Sequence, residues 1–157
     1  VAKGVLMLAS ERLAELGIEL PIRTTPLGAY IPAKQWGSRV FTSGQLPVSA
    51  DGKIVTGRLG GGLGVAEGQA AARVAVLNAL AAVSSLLGHV DEIREVVRVV
   101  VYVNSSTGFT EHAQVANGAS DVLLEIFGDA GRHVRSAVGV AALPLNAAVE
   151  VELVVGV

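Results

Sequence analysis

The chain of 157 residues has no cysteine, which excludes disulfides, a thiolate nucleophile, Cys-ligated zinc and iron–sulfur clusters. Charge is also scarce, at 17% against the roughly 25% of an average globular domain. The net charge of −2 and 4% aromatic content leave no basic stripe with interleaved aromatics, so nucleic acid is not the expected partner. No predominantly apolar stretch reaches about 18 residues. Val74 to Val90 comes nearest and is interrupted by Asn78, Ser84, Ser85 and His89, so no membrane span is expected. The apolar start, Val1 to Ala9 with Lys3, is too short for a signal-peptide core, and Ser10-Glu11-Arg12 follows at once. A cytoplasmic protein is the expectation.

What the chain does have is apolar content, 51% of residues, carried by Val, Ala and Leu, with 19 glycines besides. The length fits one domain over 1–157, with 1–21 as an N-terminal helical extension. Apolar surface beyond the needs of one core calls for a partner, so the chain is expected to oligomerise.

Ser10, Glu11, Arg12, Leu13 and Leu16 read as a first helix capped by Ser10 and stopped by Gly17 and Pro21. Residues 21–38, with Pro21, Pro26, Gly28, Pro32 and Gly37, read as loop with one short strand. Val40 to Leu46 reads as a strand ended by Pro47. Asp51-Gly52 signals a hairpin with Lys53 to Thr56 as the return strand. A glycine-dense loop, Gly57 to Gly64, precedes a long helix from Val65 to Leu87, with Gly88 as its C-cap. Ile93 to Val103 reads as a central strand and Ala113 to Phe127 as a second long helix. Ser136 to Ala142 and Val149 to Val155 read as two more strands. The order β-β-α-β-α-β-β predicts an α+β fold: one mixed sheet with both helices on one face. The other face is expected to be buried against further subunits.

The glycine loop from Gly60 to Gly68 fits neither G-x-G-x-x-G nor G-K-[ST], so it reads as a connector rather than a phosphate cradle. His89, His112 and His133 lack metal-ligand spacing. His133 pairs only with Asp129 at four residues, where Gly128 and Gly131 argue against a helix, so no metal is expected. Thr42-Ser43-Gly44-Gln45 offers a hydroxyl beside a glycine without the G-x-S-x-G elbow, either a strand end or a ligand contact. Arg135, at the mouth of an apolar strand, is suited to bidentate capture of a carboxylate or phosphate. Glu150 and Glu152 share one strand face. They are either solvated or paired with Arg98 or Arg135, or Glu150 binds and activates a water.

With Leu27-Gly28-Ala29-Tyr30, Val40-Phe41-Thr42-Ser43-Gly44-Gln45-Leu46-Pro47 and Arg98 to Val103, the chain resembles the YjgF/RidA family. Phe109 with Asn117, and Arg135-Ser136-Ala137-Val138 through Leu143-Pro144 to Val149-Glu150-Val151-Glu152, complete the likeness. This family is also called the endoribonuclease L-PSP or reactive-intermediate deaminase family. The likeness runs from Leu27 to the end, and the first helix and the Asn104–Asn117 region look like its longer-chain branch.

The resemblance implies a chorismate-mutase-like homotrimer with clefts between subunits. It also implies cofactor-free hydrolysis of 2-imino or enamine acids, such as 2-aminoacrylate and 2-iminobutanoate, to 2-oxo acids and ammonia. Carried over by position, Arg135 is the arginine that grips the substrate carboxylate, and Tyr30, Ser43, Gly44 and Asn117 line the cleft. Glu150 is the glutamate that handles the attacking water. Where the family often has cysteine two places after the arginine, this chain has Ala137, which changes the pocket floor but not the imine chemistry. A trimer that binds small carboxylates without turnover is the alternative; an endoribonuclease is disfavoured by the charge balance.

Overall fold

The structure is a computed structural model that describes residues 7–22 and 28–157. The expectations resting on Val1 to Leu6 and on Arg23 to Leu27, including Pro26 and Leu27, lie outside the described residues.

The first helix, α1, spans Ala9–Glu15 and is capped differently from the sequence expectation. Its N-cap is Leu8, whose N–H donates to Glu11 Oε2 at 2.9 Å, and Ser10 lies inside the first turn. The Ser10 amide and hydroxyl instead donate to the Asp91 carboxylate at 2.8 and 2.6 Å. The cap that sequence reading assigns locally is therefore a tertiary tie across the chain. Gly17, at φ +66°, takes the left-handed position that ends the helix.

Strands β1 (Ala33–Trp36) and β2 (Arg39–Thr42) form a hairpin. β2 stops four residues before the sequence pattern does. Beyond Thr42, the Ser43 amide turns to the Pro32 carbonyl at 2.8 Å, and Gln45 pairs with Val151. The expected Lys53–Thr56 strand also shrinks to isolated bridges, Val48 with Ile54 and Thr56 with Ala147. The turn at Asp51-Gly52 is present, with the Ser49 amide donating to the Lys53 carbonyl at 2.9 Å. A two-residue pair, β3 (Arg58–Leu59) and β4 (Gly62–Leu63), sits in the glycine loop and buries Leu59.

Helix α2 runs Val65–Leu87 and ends at Gly88, φ +92°, as the sequence indicates. Strand β5 is Glu95–Asn104, α3 is His112–Phe127, β6 is Val134–Val140 and β7 is Val149–Gly156. The sheet order is β1-β2-β7-β5-β6, with β5 and β6 parallel and the other neighbours antiparallel. This is the α+β, mixed-sheet architecture expected.

Both long helices cover one face. Val40, Val99, Val101, Val103, Val149, Val151, Leu153 and Val155 point beneath them and are buried. α2 is long and apolar enough to cross a membrane by length and composition. Here it is the core helix, buried through Ala71, Ala72, Ala75, Val76, Ala79 and Leu80. Its small side chains let it sit low on the sheet and close to α3. Asn78, an interruption in the sequence pattern, is buried and donates to the carbonyls of Leu46 and Val48 at 2.9 and 3.0 Å. It thereby anchors the segment that follows β2.

The two helices come into close backbone contact at Gly118 of α3, where an added Cβ would overlie the Gln69 backbone of α2. Backbone has no rotamer with which to escape, so Gly118→Ala must push the helices apart. We expect a loss of about 2–3 kcal/mol, typical of overpacking, measured by denaturant unfolding.

The opposite sheet face is uncovered. Trp36 is 76% exposed, Val134 67%, Val138 45% and Phe41 44%. Between them lie Arg98, Val100, Tyr102, Glu150 and Glu152, placed on this face by the strand register.

Candidate functional site

The residues singled out in the sequence fall into two clusters, one on each face of the sheet. Arg135 of β6 pairs in register with Val99, a residue buried beneath the helices, so its side chain points towards α3. There Nη1 donates to Asn117 Oδ1 at 2.9 Å and to Ser120 Oγ at 3.0 Å. Nη2 donates to the Ala113 carbonyl at 3.3 Å. Asn117 and Ser120 are three residues apart on α3 and so share a face.

Among the described residues, nothing accepts from Nε or from the second hydrogen of Nη2. Those two donors form the side-on fork of the guanidinium, the edge that a carboxylate takes with two parallel hydrogen bonds. Arg135 is thus held by the protein through one edge and free on the other. Ala137, two residues along on the same side of β6, is partly buried.

The second cluster is built around Glu150. Glu150 and Glu152 lie on the uncovered face of β7, beside Tyr102 and Val100 of β5. Neither carboxylate reaches Arg98 or Arg135 in an ion pair; Glu152 instead accepts from the Tyr102 hydroxyl at 3.1 Å. Burial pushes the Glu150 carboxyl above its usual range, and the Glu152 charge two residues away adds to the rise. The Tyr102 hydroxyl is raised in turn by burial and by its hydrogen bond to Glu152.

Gly44 lies against the Glu150 carboxylate. The two-way backbone pairing of Gln45 with Val151, at 2.8 and 2.9 Å, holds it there. A Cβ at Gly44 would occupy the position of the Glu150 carboxylate and come within 2.9 Å of its Cγ. Gly44→Ala is therefore expected to evict the carboxylate while leaving stability nearly unchanged, because the flexible end of Glu150 can swing away. The unfolding midpoint should be unaltered, while any reaction that needs this carboxylate should slow roughly tenfold or more.

Ser43 donates its hydroxyl to the Ile31 carbonyl at 2.7 Å, and no imidazole takes that proton. It is a polar lining group here, not an activated nucleophile. Tyr30 precedes Ile31 and is half exposed, which places it near Ser43. Tyr30, Ser43, Gly44 and Glu150 therefore gather on one side, and Asn117 and Arg135 on the other. β5 separates β6 from β7, so the two clusters are about 10 Å apart across the sheet as well as on opposite faces.

Two residues were missed by sequence reading. His133 and Ser120 bond to each other at 2.9 Å, directly behind Arg135. The available signals were the two-residue strand spacing of His133 to Arg135 and the three-residue helical spacing of Asn117 to Ser120. The other histidines are engaged elsewhere: His89 with Asp91 at 3.2 Å, and His112 with Ser105 at 3.3 Å and edge-on to Phe109.

A five-stranded mixed sheet with two long helices on one face, and an arginine on its edge strand held by α3, define an α+β protein. The family described as "YjgF/chorismate_mutase-like, putative endoribonuclease" matches residues 10–157. The chain belongs to this family. Protein TCP17 of Trypanosoma cruzi is 48% identical over 144 residues, covering 91% of this chain and 90% of its own length. A 2-iminobutanoate/2-iminopropanoate deaminase of Dermatophagoides farinae is 30% identical over 139 residues, covering 88% of this chain and 93% of its own. The crystal structure of a Shewanella oneidensis protein superposes with a TM-score of 0.91 at 39% identity, covering 96% of this chain and all of that one.

Proposed function

We propose that this protein hydrolyses 2-imino acids to 2-oxo acids and ammonia, in clefts between neighbouring copies of a homotrimer. The observation that carries the reading is the guanidinium of Arg135, fixed by Asn117, Ser120 and Ala113 with its Nε–Nη2 edge free. That edge matches the carboxylate every 2-imino acid carries. The deaminase of Dermatophagoides farinae supports the reaction class. The trimer is supported by the two clusters themselves, since one copy presents Arg135 on one face and Glu150 on the other. An apposed copy would bring Glu150, Gly44, Ser43 and Tyr30 opposite Arg135, and would cover Phe41, Val134 and Val138.

The chemistry follows from these groups. A protonated imine carbon is already electrophilic. Arg135 fixes the carboxylate, and with it the plane and position of the adjacent C=N. Glu150, as carboxylate, accepts a proton from water as its oxygen bonds to the imine carbon. The resulting aminoalcohol takes that proton on nitrogen, its hydroxyl gives a proton back to Glu150, and the C–N bond breaks as the C=O forms, releasing ammonia. Water is the only co-reactant, and an enamine substrate enters the same path once protonated at its terminal carbon. The raised position of the Glu150 carboxyl makes it a stronger base than an ordinary glutamate once ionised.

A threonine dehydratase would supply 2-iminobutanoate, with semicarbazide competing for the imine and 2-oxobutanoate release followed. This protein is expected to accelerate release and to sediment as a trimer. A folded trimer that leaves release unchanged would overturn the deaminase reading, and a monomer would overturn the shared cleft.

A further inference from the structure

We infer that His133, acting through Ser120, is a positioning residue that sets the guanidinium plane of Arg135. The inference rests on Arg135 as the carboxylate clamp of the proposed function, and adds two hydrogen bonds of His133 that reading does not use.

The His133 ring is held at both nitrogens. Nδ1 lies 2.6 Å from the Gly131 carbonyl, and Nε2 lies 2.9 Å from Ser120 Oγ. A carbonyl can only accept, so Nδ1 carries the hydrogen and, in a neutral ring, Nε2 is a bare acceptor. Ser120 must then donate its hydroxyl hydrogen to Nε2. With that hydrogen committed, the remaining lone pairs of Ser120 Oγ accept from Arg135 Nη1 at 3.0 Å. The proton order is set along the whole path: His133 to the Gly131 carbonyl, Ser120 to His133, Arg135 to Ser120.

The start of this path is rigid. Gly131 is buried against α3, where an added Cβ would lie 2.9 Å from the Leu123 carbonyl carbon, so its carbonyl is fixed to the helix that carries Ser120. Ser120 itself is 9% exposed and cannot easily exchange His133 for water. Without an acceptor on His133, the Ser120 hydroxyl is free to rotate and to turn its hydrogen towards Arg135. The guanidinium then loses one of the two Nη1 contacts that orient its free edge.

The test compares two amides of different reach. His133→Asn keeps a donor near the Nδ1 position but has nothing at Nε2, whereas His133→Gln places an amide oxygen there. Binding of 2-oxobutanoate by calorimetry and turnover of 2-iminobutanoate are measured for both variants, for Ser120→Ala, and for Ser120→Ala with His133→Asn. We expect His133→Asn to raise Kd and KM roughly tenfold, the worth of one charge-assisted hydrogen bond, and to lower kcat severalfold, because a turned guanidinium misplaces the C=N bond. His133→Gln should recover most of that loss. The double variant should be no worse than Ser120→Ala alone, since both remove the same path. Additive effects, or equal loss for Asn and Gln, would overturn the inference. Ring ¹⁵N resonances of the wild type give a separate reading: a hydrogen on Nδ1 and a bare Nε2 are expected, and the opposite tautomer defeats the relay. A wild type that fails to bind 2-oxobutanoate while showing the expected tautomer would count against the proposed function, not the relay.

Discussion

Arg135→Ala is expected to lower kcat/KM for a 2-imino acid about a thousandfold. Two charge-assisted hydrogen bonds to the substrate carboxylate are lost together, each worth roughly 1.5–3 kcal/mol. The fold should survive, because Asn117 and Ala113 are exposed, so water replaces what they lose, and buried Ser120 keeps its bond to His133. Arg135→Lys is the sharper comparison. It keeps the positive charge but presents a point instead of a planar fork, so affinity should return in part while orientation, and with it kcat, does not. Steady-state kinetics on both variants, with circular dichroism to confirm folding, decide the matter. Equal activity in the lysine variant and the wild type would show that charge alone, not the fork, serves the site.

Glu150→Gln should have two effects of opposite value. Activity should fall about 10²–10³-fold in kcat with KM little changed, since the amide cannot take a proton from water. Stability at neutral pH should rise. In the folded chain burial, and then the charge of Glu152, push the Glu150 carboxyl above its usual range, so folding favours the protonated form. A raised carboxyl contributes most at low pH and loses that contribution as pH climbs from the unfolded value through the folded one. At pH 7 the ionised Glu150 therefore weighs against folding, and the neutral amide removes that penalty. Because Glu150 is only partly buried, solvent screening keeps the gain below about 1 kcal/mol, a rise in Tm of roughly 2–4 °C. The advantage should vanish in acid, where Glu150 is itself neutral. The same electrostatics predict that Glu152→Gln, by removing the neighbouring charge, moves the acidic limb of the activity profile to lower pH. A limb that stays in place would mean that Glu150 is not the group whose ionisation the reaction follows.

Much of this protein is legible in its sequence because the relevant signals are local and periodic. The bounds of α2 follow from an apolar helical repeat ended by Gly88, β7 from valines alternating with glutamates, and β5 from a β-branched run, though β5 starts two residues later than Ile93 because the chain turns at Val90–Glu92. The same alternation places Glu150 and Glu152 on one face. Arg135 stands out because a lone guanidinium at the start of an apolar strand needs a reason to be there. What sequence reading misjudged depends on partners far along the chain. Ser10 reads as a cap, yet its hydroxyl meets Asp91, 81 residues away. Val40 to Leu46 reads as one strand, yet the chain leaves β1 after Thr42 and pairs with β7 at Gln45. Asn78 reads as a flaw in an apolar helix, yet it anchors the Leu46–Val48 backbone.

Local propensity and periodicity, which act over a few neighbours, settle most element types, the α+β class and the residues able to do chemistry, but not the Lys53–Thr56 segment or the β3–β4 pair, which depend on distant partners. Tertiary structure alone decided that Arg135 and Glu150 lie on opposite faces of the sheet. Facing depends on strand register and on which strands are neighbours, and both are set by long-range pairing. It also decided that His133 and Ser120 stand behind Arg135, since a helix position and a strand position can meet only once α3 is packed beside β6.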